Sequence, residues 1–397
     1  MPINKYLNNC LCCLSKVNSC LNLGKNPLAN EFTTDKVNEA YPLELMVCTE
    51  CWHTQLHYIV DPEILFKNYK YISGTTQTGL EYFKNNADFV NAHFDKPGNV
   101  LDIACNDGSQ LNYFKKLGWD TYGVDPAENL HEVSTSQGHT VICDFWTPDS
   151  AMLVPNMDVI LAQNVFAHTE HVDSFLQACK IVMKDSSILF IQTSQKNMII
   201  NSEFDTIYHE HISFFNTLSM KTLVERNGLF LVGIHEVSIH GTSYIFEIRL
   251  HEQTGSNVYD HICNERDKGM YSGQLYKQFE LNAIKISKNL KETIEDYRSK
   301  GYKCIGFGAS AKGQTVLCYS EIDLDYIIDE NPLKIGLFSP KMNIPIVSFK
   351  HFSEDTSEKY LVVILAWNFA DEIISKINSL NKNVVIIKNY FPKIVIV

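Results

Sequence analysis

No apolar run in the 397-residue sequence reaches the about 18 residues of a membrane-spanning helix. The longest runs, such as Leu361 to Trp367, have the length of a strand. Positive charge is scarce: 34 Lys and Arg stand against 46 Asp and Glu, a net charge of -12. No basic stripe is available to neutralise a nucleic-acid duplex, and an anionic substrate would need local cations. Met1-Pro2-Ile3-Asn4-Lys5 leads into no signal-like apolar segment, so the expectation is a cytoplasmic chain without membrane or nucleic-acid partners. Its 45% hydrophobic and 20% charged content is that of a soluble globular protein, long enough for two or three domains. Disulfides are not expected, because the 12 cysteines of a chain in a reducing compartment serve as thiols or metal ligands.

The cysteines are unevenly placed. Cys10 and Cys13 form one Cys-x-x-Cys pair, Cys48 and Cys51 another. Each pair suits a tight knuckle, and two knuckles offer four thiolates to a tetrahedral zinc with no position left for water. The metal is therefore expected to be structural. Cys12 could replace Cys13, and Cys20 reads as a bystander. The segment to about residue 60, with Pro27, Pro42 and a strand-like Thr54–Tyr58, is short for a core of its own and should lean on the metal.

The central stretch is Asn99 to Ser109. Val100, Leu101 and Ile103 read as a buried parallel strand that ends in the turn residues Asn106, Asp107 and Gly108; a helix follows. Asp125 closes the next strand, placed to take two ribose hydroxyls. The loop lacks GxGxxG, having Ala104, Asn106 and Gly108 instead, so a pyrophosphate has little room. A phosphate-free adenosyl ligand, S-adenosylmethionine, fits better. Asp102, Ser109 and Pro126 border the same loops. Strands expected over 100–104, 121–125, 140–145, 157–163 and 187–193 alternate with helices, the pattern of a doubly wound sheet. Asp144 could meet the adenine amino group and Phe145 its face. Gln163, Asn164 and His168 would lie over the sulfonium end. Tyr244–Arg249 alternates like an antiparallel edge.

Residues 251–300 carry helical spacing through Leu275, Phe279, Ile284, Ile286, Leu290, Ile294 and Tyr297, read as a long connecting helix. The strand–turn–helix pattern then restarts. Gly308, Ser310 and Lys312 form an anion-binding turn, with Asp329 at the next strand end able to hold a ribose; a nucleotide diphosphate or NAD would suit both. In between, Ile207-Tyr208-His209-Glu210-His211-Ile212 packs ionisable and phenolic groups among aromatic neighbours, the surroundings of a general base. If extended, this segment would point Tyr208 and Glu210 one way and both histidines the other.

Taken together, Cys-x-x-Cys twice, Tyr71-Ile72-Ser73-Gly74, LDIACNDG, YHEHISFF, GASAKG and Ala366-Trp367-Asn368 resemble the nucleotide-sugar C-methyltransferases, three-domain enzymes that methylate C-3 of dTDP-4-keto deoxysugars. The resemblance implies a zinc-binding domain over 1–70, a Rossmann-like S-adenosylmethionine domain over 71–255, a helical connector over 256–300 and a second Rossmann-like α/β domain over 301–397 that helps hold the nucleotide-sugar. It also implies His211 as base, with Tyr208, Glu210, His168 and Tyr71 around the sugar. Ala104-Cys105 departs from the family's usual glycine and serine. The expected chain is a monomer or homodimer. The competing readings are a small-molecule O- or N-methyltransferase and a non-catalytic zinc-containing binding protein.

Overall fold

The computed structural model describes residues 5–35, 39–67, 72–193, 197–237 and 243–397. Asn99–Ile103 runs through the middle of a seven-stranded sheet, since Val100, Leu101 and Ile103 offer apolar side chains to both faces and all are buried. It pairs in parallel with Asp120–Val124 on one side and Met157–Gln163 on the other. Thr140–Ile142 and Met183–Thr193 extend the sheet in parallel, and Ser243–Arg249 joins Met183–Thr193 antiparallel. The expected edge strand is thus one place in from the edge, which is taken by Phe230–Val237. The third strand stops at Ile142 rather than 145: Phe145 N–H donates to Asp144 Oδ1 at 2.7 Å, a local bond that competes with the ladder.

The N-terminal segment holds more regular structure than its sequence suggests. Val17–Pro27 and Ala40–Cys48 form a long antiparallel pair, continued by Thr54–Leu56 and, from far along the chain, Ser213–Phe214. Register shifts between Ser19 and Leu21 and between Asn22 and Lys25 break the alternation that marks a strand in sequence. Nor does this segment lack a core. Leu21, Leu43, Leu45 and Leu56 are fully buried, in one hydrophobic cluster with Phe279, Ile286, Leu290, Val316 and Leu317. The core is borrowed from the C-terminal third of the chain.

The connector is two helices, Val258–Asp267 and Gly273–Ser299. Phe279, Ile286, Leu290 and Ile294 face inward as expected, but Ile284 is 51% exposed and Ala283 holds the core position. The last sheet runs Ile346–Val347, Ile327–Ile328, Lys303–Phe307, Tyr360–Ile364 and Val384–Asn389 in parallel, closed by an antiparallel Val395–Ile396. Among the described residues, no helix is long and apolar enough to cross a membrane.

Candidate active site

The four expected zinc ligands converge. Cys10 and Cys51 sulfurs lie 3.5 Å apart and those of Cys13 and Cys48 3.4 Å, with all four within 4.8 Å of one another. Sulfurs about 2.3 Å from a tetrahedral zinc sit at comparable spacings. Cys12 is not in the set: its backbone N–H donates to Cys10 Sγ. Cys20 packs in the core beside Leu21. Gln55 and Arg226 hold the first knuckle. Gln55 Oε1 accepts from Leu11 N–H at 2.8 Å, while the Arg226 guanidinium donates to the Leu11 and Cys12 carbonyls and pairs with Asp173.

At the carboxyl end of the central strand, Ala104, Asn106 and Gly108 all take left-handed backbone angles, φ 62°, 51° and 77°. Asp125 does more here than face a ribose. Its Oδ2 accepts from Asn106 N–H and its Oδ1 from Ala127 N–H, both at 2.8 Å, so it shapes the loop. Burial, with Asp125 and Asp107 nearby, pushes the Asp102 carboxyl up to about 8, and it is protonated at neutral pH. Asp107, just ahead of the helix Ser109–Lys116, accepts from Ser109 N–H and Oγ. The turn at Ser73–Gly74 lies on this loop: Ser73 N–H donates to Asn106 Oδ1 at 3.0 Å and Gly74 N–H to Asp107 Oδ2 at 3.1 Å. A Cβ at Gly74 would stand 2.1 Å from Ser109 Oγ and 2.5 Å from Asp107 Oδ2, so a side chain there would push apart the groups that join the two loops. Tyr71 lies outside the described residues. Pro126 is half-buried, Phe145 also, and Asp144 is exposed beyond the shortened third strand.

A ligand is called for at the ends of the next two strands. Among the described residues, Gln163 Oε1, Asn164 Oδ1, Gln192 Nε2 and Thr193 Oγ1 are buried without hydrogen-bond partners. Four such atoms at one sheet end fit a bound polar molecule, because unpaired buried polar groups are otherwise costly. Asn164 adopts φ 53°. Gln192 and Thr193 had no motif to mark them; their signal was only the polar end of an apolar strand.

The Tyr208–His211 segment is a turn rather than an extended strand: His211 N–H donates to the Tyr208 carbonyl at 2.9 Å. Tyr208 and His211 therefore meet instead of pointing apart, with Tyr208 Oη 2.8 Å from His211 Nε2. His211 Nδ1 lies 2.8 Å from the Thr206 carbonyl, which can only accept. That fixes the proton on Nδ1 and the lone pair on Nε2, a tautomer set by a backbone group that no motif reveals. His168 stands with its ring 5.1 Å from that of His211, and burial lowers its pKa to about 4, leaving it neutral. Glu210 Oε1 accepts from Asn30 Nδ2 at 2.6 Å. His209 faces the N-terminal sheet, 3.3 Å from the Pro42 carbonyl. Its side is structural.

The C-terminal turn approaches the same segment. Thr315 Oγ1 donates to the Ile207 carbonyl at 3.1 Å and Trp367 Nε1 to Asp205 Oδ2 at 2.7 Å. Ser310 Oγ caps its helix through Gly313 N–H, and Gly308, at φ 91°, packs closely on Ala366. Asp329 repeats the role of Asp125, accepting from Ala309 and Asn331 N–H groups. Lys312 Nζ lies 4.5 Å over the Trp367 ring and close to Glu203 and Asp205, whose carboxyls burial pushes up and Lys312 pulls back. Gln314 went unmarked in the sequence. It is 1% exposed, neither side-chain polar atom has a partner among the described residues, and it lines a cavity of about 10 Å³ with Tyr208, Asn26 and Thr315.

Three family models match consecutive parts of the chain: a zinc binding domain over residues 10–66, a methyltransferase domain over 79–233 and a C-methyltransferase C-terminal domain over 238–388. The chain is 25% identical to the C-methyltransferase NovU of Streptomyces niveus over 371 residues, covering 89% of this chain and 88% of that one. It is 31% identical over 103 residues to a ubiquinone biosynthesis O-methyltransferase of Bradyrhizobium, 25% of this chain and 40% of that one. Among solved structures, a SAM-dependent methyltransferase from Archaeoglobus fulgidus aligns with a TM-score of 0.36 at 18% identity, over 43% of this chain and 94% of that one.

The left-handed Ala104 generates a stability prediction. Ala104→Gly should raise unfolding free energy by about 0.5–1 kcal/mol, read from the urea midpoint, because only the Cβ strains that backbone. Gly74→Ala should weaken S-adenosylmethionine binding by about tenfold or more in calorimetry by lifting the Ser73–Gly74 turn off Asn106 and Asp107. Unchanged affinity would detach that turn from the cofactor cleft.

Proposed function

The chain belongs to the S-adenosylmethionine-dependent C-methyltransferases with an N-terminal structural zinc, and on that premise we propose that its acceptor is a nucleotide-linked 4-keto-deoxysugar, dTDP-bound, methylated at C-3. The observation that carries this reading is the Tyr208–His211 pair, with one imidazole nitrogen fixed by the Thr206 carbonyl and the other left basic beside a phenol. A carbon next to a ketone gives up its proton when the base is held in place and the enolate oxygen is met by a donor. In this reading His211 Nε2 takes the C-3 proton, and the Thr206 carbonyl steadies the resulting imidazolium through Nδ1–H. Tyr208, released from Nε2, donates to the C-4 oxygen, with neutral His168 as the second donor. Glu210, anchored by Asn30, holds the turn toward the sugar. The cofactor, when bound against Gln163, Asn164, Gln192, Thr193 and the Ala104–Gly108 loop, supplies an electrophilic methyl on a sulfonium.

The C-terminal turn at Gly308, Ser310 and Lys312, with Asp329, is the proposed seat of the nucleotide. A diphosphate there would draw Lys312 from the Trp367 ring and its acidic neighbours. The reading as a non-catalytic binding protein falls with the family. A small-molecule O-methyltransferase remains the rival, and isotope retention separates the two.

With a C-3-deuterated keto-sugar nucleotide and no cofactor, the wild-type protein should wash out the label, and His211→Asn should slow that exchange by about 10²–10⁴-fold. Exchange unaffected by the substitution removes His211 as base; a label retained through methylation points to an oxygen acceptor. Lys312→Ala should raise KM for the nucleotide-sugar by about tenfold or more while kcat changes little. An unchanged KM would leave Lys312 as a counter-charge for Glu203 and Asp205.

A further inference from the structure

Far from the catalytic turn, one donor atom each from His93, His235 and Glu247 come within 4.8 Å of one another. They belong to three separate elements: the chain just past the helix Gln77–Asn91, the edge strand Phe230–Val237 and its partner Ser243–Arg249. Neither the proton-abstraction chemistry nor the zinc held by the four cysteines uses them.

Each group is prepared for a metal. His93 Nδ1 lies 3.0 Å from the Phe89 carbonyl and donates to it, which leaves Nε2 as the nitrogen with the lone pair. A backbone acceptor of this kind is the usual outer partner of a ligating histidine. His235 Nε2 is 3.3 Å from Glu247 Oε2, the separation expected of two donors each about 2.0 Å from a tetrahedral ion. Arg249 takes the other carboxylate oxygen, with Nε at 2.9 Å and Nη2 at 2.8 Å from Oε1, and so turns Oε2 toward the imidazoles. The Phe89 ring packs edge-on against both histidines, with centroids 4.9 and 4.8 Å away, and limits their rotation.

We propose that His93, His235 and Glu247 form a second metal site, for zinc or another divalent ion that prefers imidazole. A plain His235–Glu247 ion pair would use one imidazole; the third group and the tautomer of His93 are what a metal adds. Two imidazoles and one carboxylate favour nickel, copper and zinc over magnesium and calcium, which prefer oxygen-only shells. With His93 exposed, water completes the shell. The ion acts as a clamp. It ties the far end of the helix Gln77–Asn91, whose near end follows the Ser73–Gly74 turn, to the edge of the sheet.

The test uses the full chain with its thiolate-bound zinc in place, titrated with nickel or zinc after treatment with a chelator too weak to strip four thiolates. Wild type should bind one further ion per chain and gain thermal stability from it. His93→Gln, at an exposed position, should lose that ion and the thermal gain while keeping the first zinc and the methyltransferase rate, and His235→Gln should do the same. Cobalt in the extra site should lack the thiolate charge-transfer bands of the four-cysteine site. No further ion bound by wild type, or one that both variants retain, overturns the proposal.

Discussion

The stretch from Phe204 to Ile212 belongs to no sheet, and its shape depends on being held from several sides at once. Asn30 reaches Glu210, the Pro42 carbonyl meets His209, Thr315 bonds the Ile207 carbonyl and Trp367 bonds Asp205. The first two anchors come from the N-terminal segment, Asn30 in the loop after Val17–Pro27 and Pro42 in the strand Ala40–Cys48, and the last two from the C-terminal third of the chain. An isolated turn of this length would be mobile on its own. The bonds that fix it come from two other parts of the chain, so His211 near its end acquires a defined position only when both are assembled around it. The shared core makes that assembly rigid: Leu21 and Leu45 from one unit and Val316 and Leu317 from another lie in a single buried cluster with Phe204 and Ile207.

The two Rossmann-like sheets solve the same local problem in the same way. In each, an acid after the second strand accepts from a loop N–H at the end of the first and from an N–H two residues further along its own chain. Asp125 does this with Asn106 and Ala127, Asp329 with Ala309 and Asn331. A tight turn after a parallel strand leaves backbone N–H groups that must find acceptors, and a carboxylate on the adjacent strand is well placed to supply them. The acids are therefore loop-shaping groups first. Any ribose must share the oxygens with these amides, and each oxygen retains a lone pair for it.

Patterns confined to one element were readable from the sequence; those made by distant ones were not. Val100, Leu101 and Ile103 announce a buried strand, and the Cys10–Cys13 and Cys48–Cys51 knuckles announce a metal, because spacing alone carries the information. The bulged pair Val17–Pro27 and Ala40–Cys48 was hidden, since register shifts erase its period of two and its burial comes from a helix beginning at Gly273. Ile284 was misplaced because Ala283, one step around the helix, fits where that surface meets its neighbours. At the candidate site, YHEH drew attention to Tyr208 and His211 but did not reveal their arrangement. The partners that set it are a backbone carbonyl at Thr206 and an asparagine at position 30, and neither leaves a pattern.

A zinc held by Cys10, Cys13, Cys48 and Cys51 would act on the proposed site through geometry. Cys48 ends the strand Ala40–Cys48 and Cys51 sits in the turn that leads to Thr54–Leu56; Cys48 N–H bonds the His53 carbonyl across that turn. Thr54 and Gln55 then pair with Phe214 and Ser213, and Leu56 N–H takes the Ile212 carbonyl. Ile212 follows His211 directly. A slip of one residue in this short hairpin would turn every side chain on it to the opposite face, and His211 is the next residue beyond the pairing. With an ion on them, the four thiolates would allow the turn a single register. A metal with no open coordination position would thereby bear on where the His211 imidazole, joined to it through this strand pairing, can point.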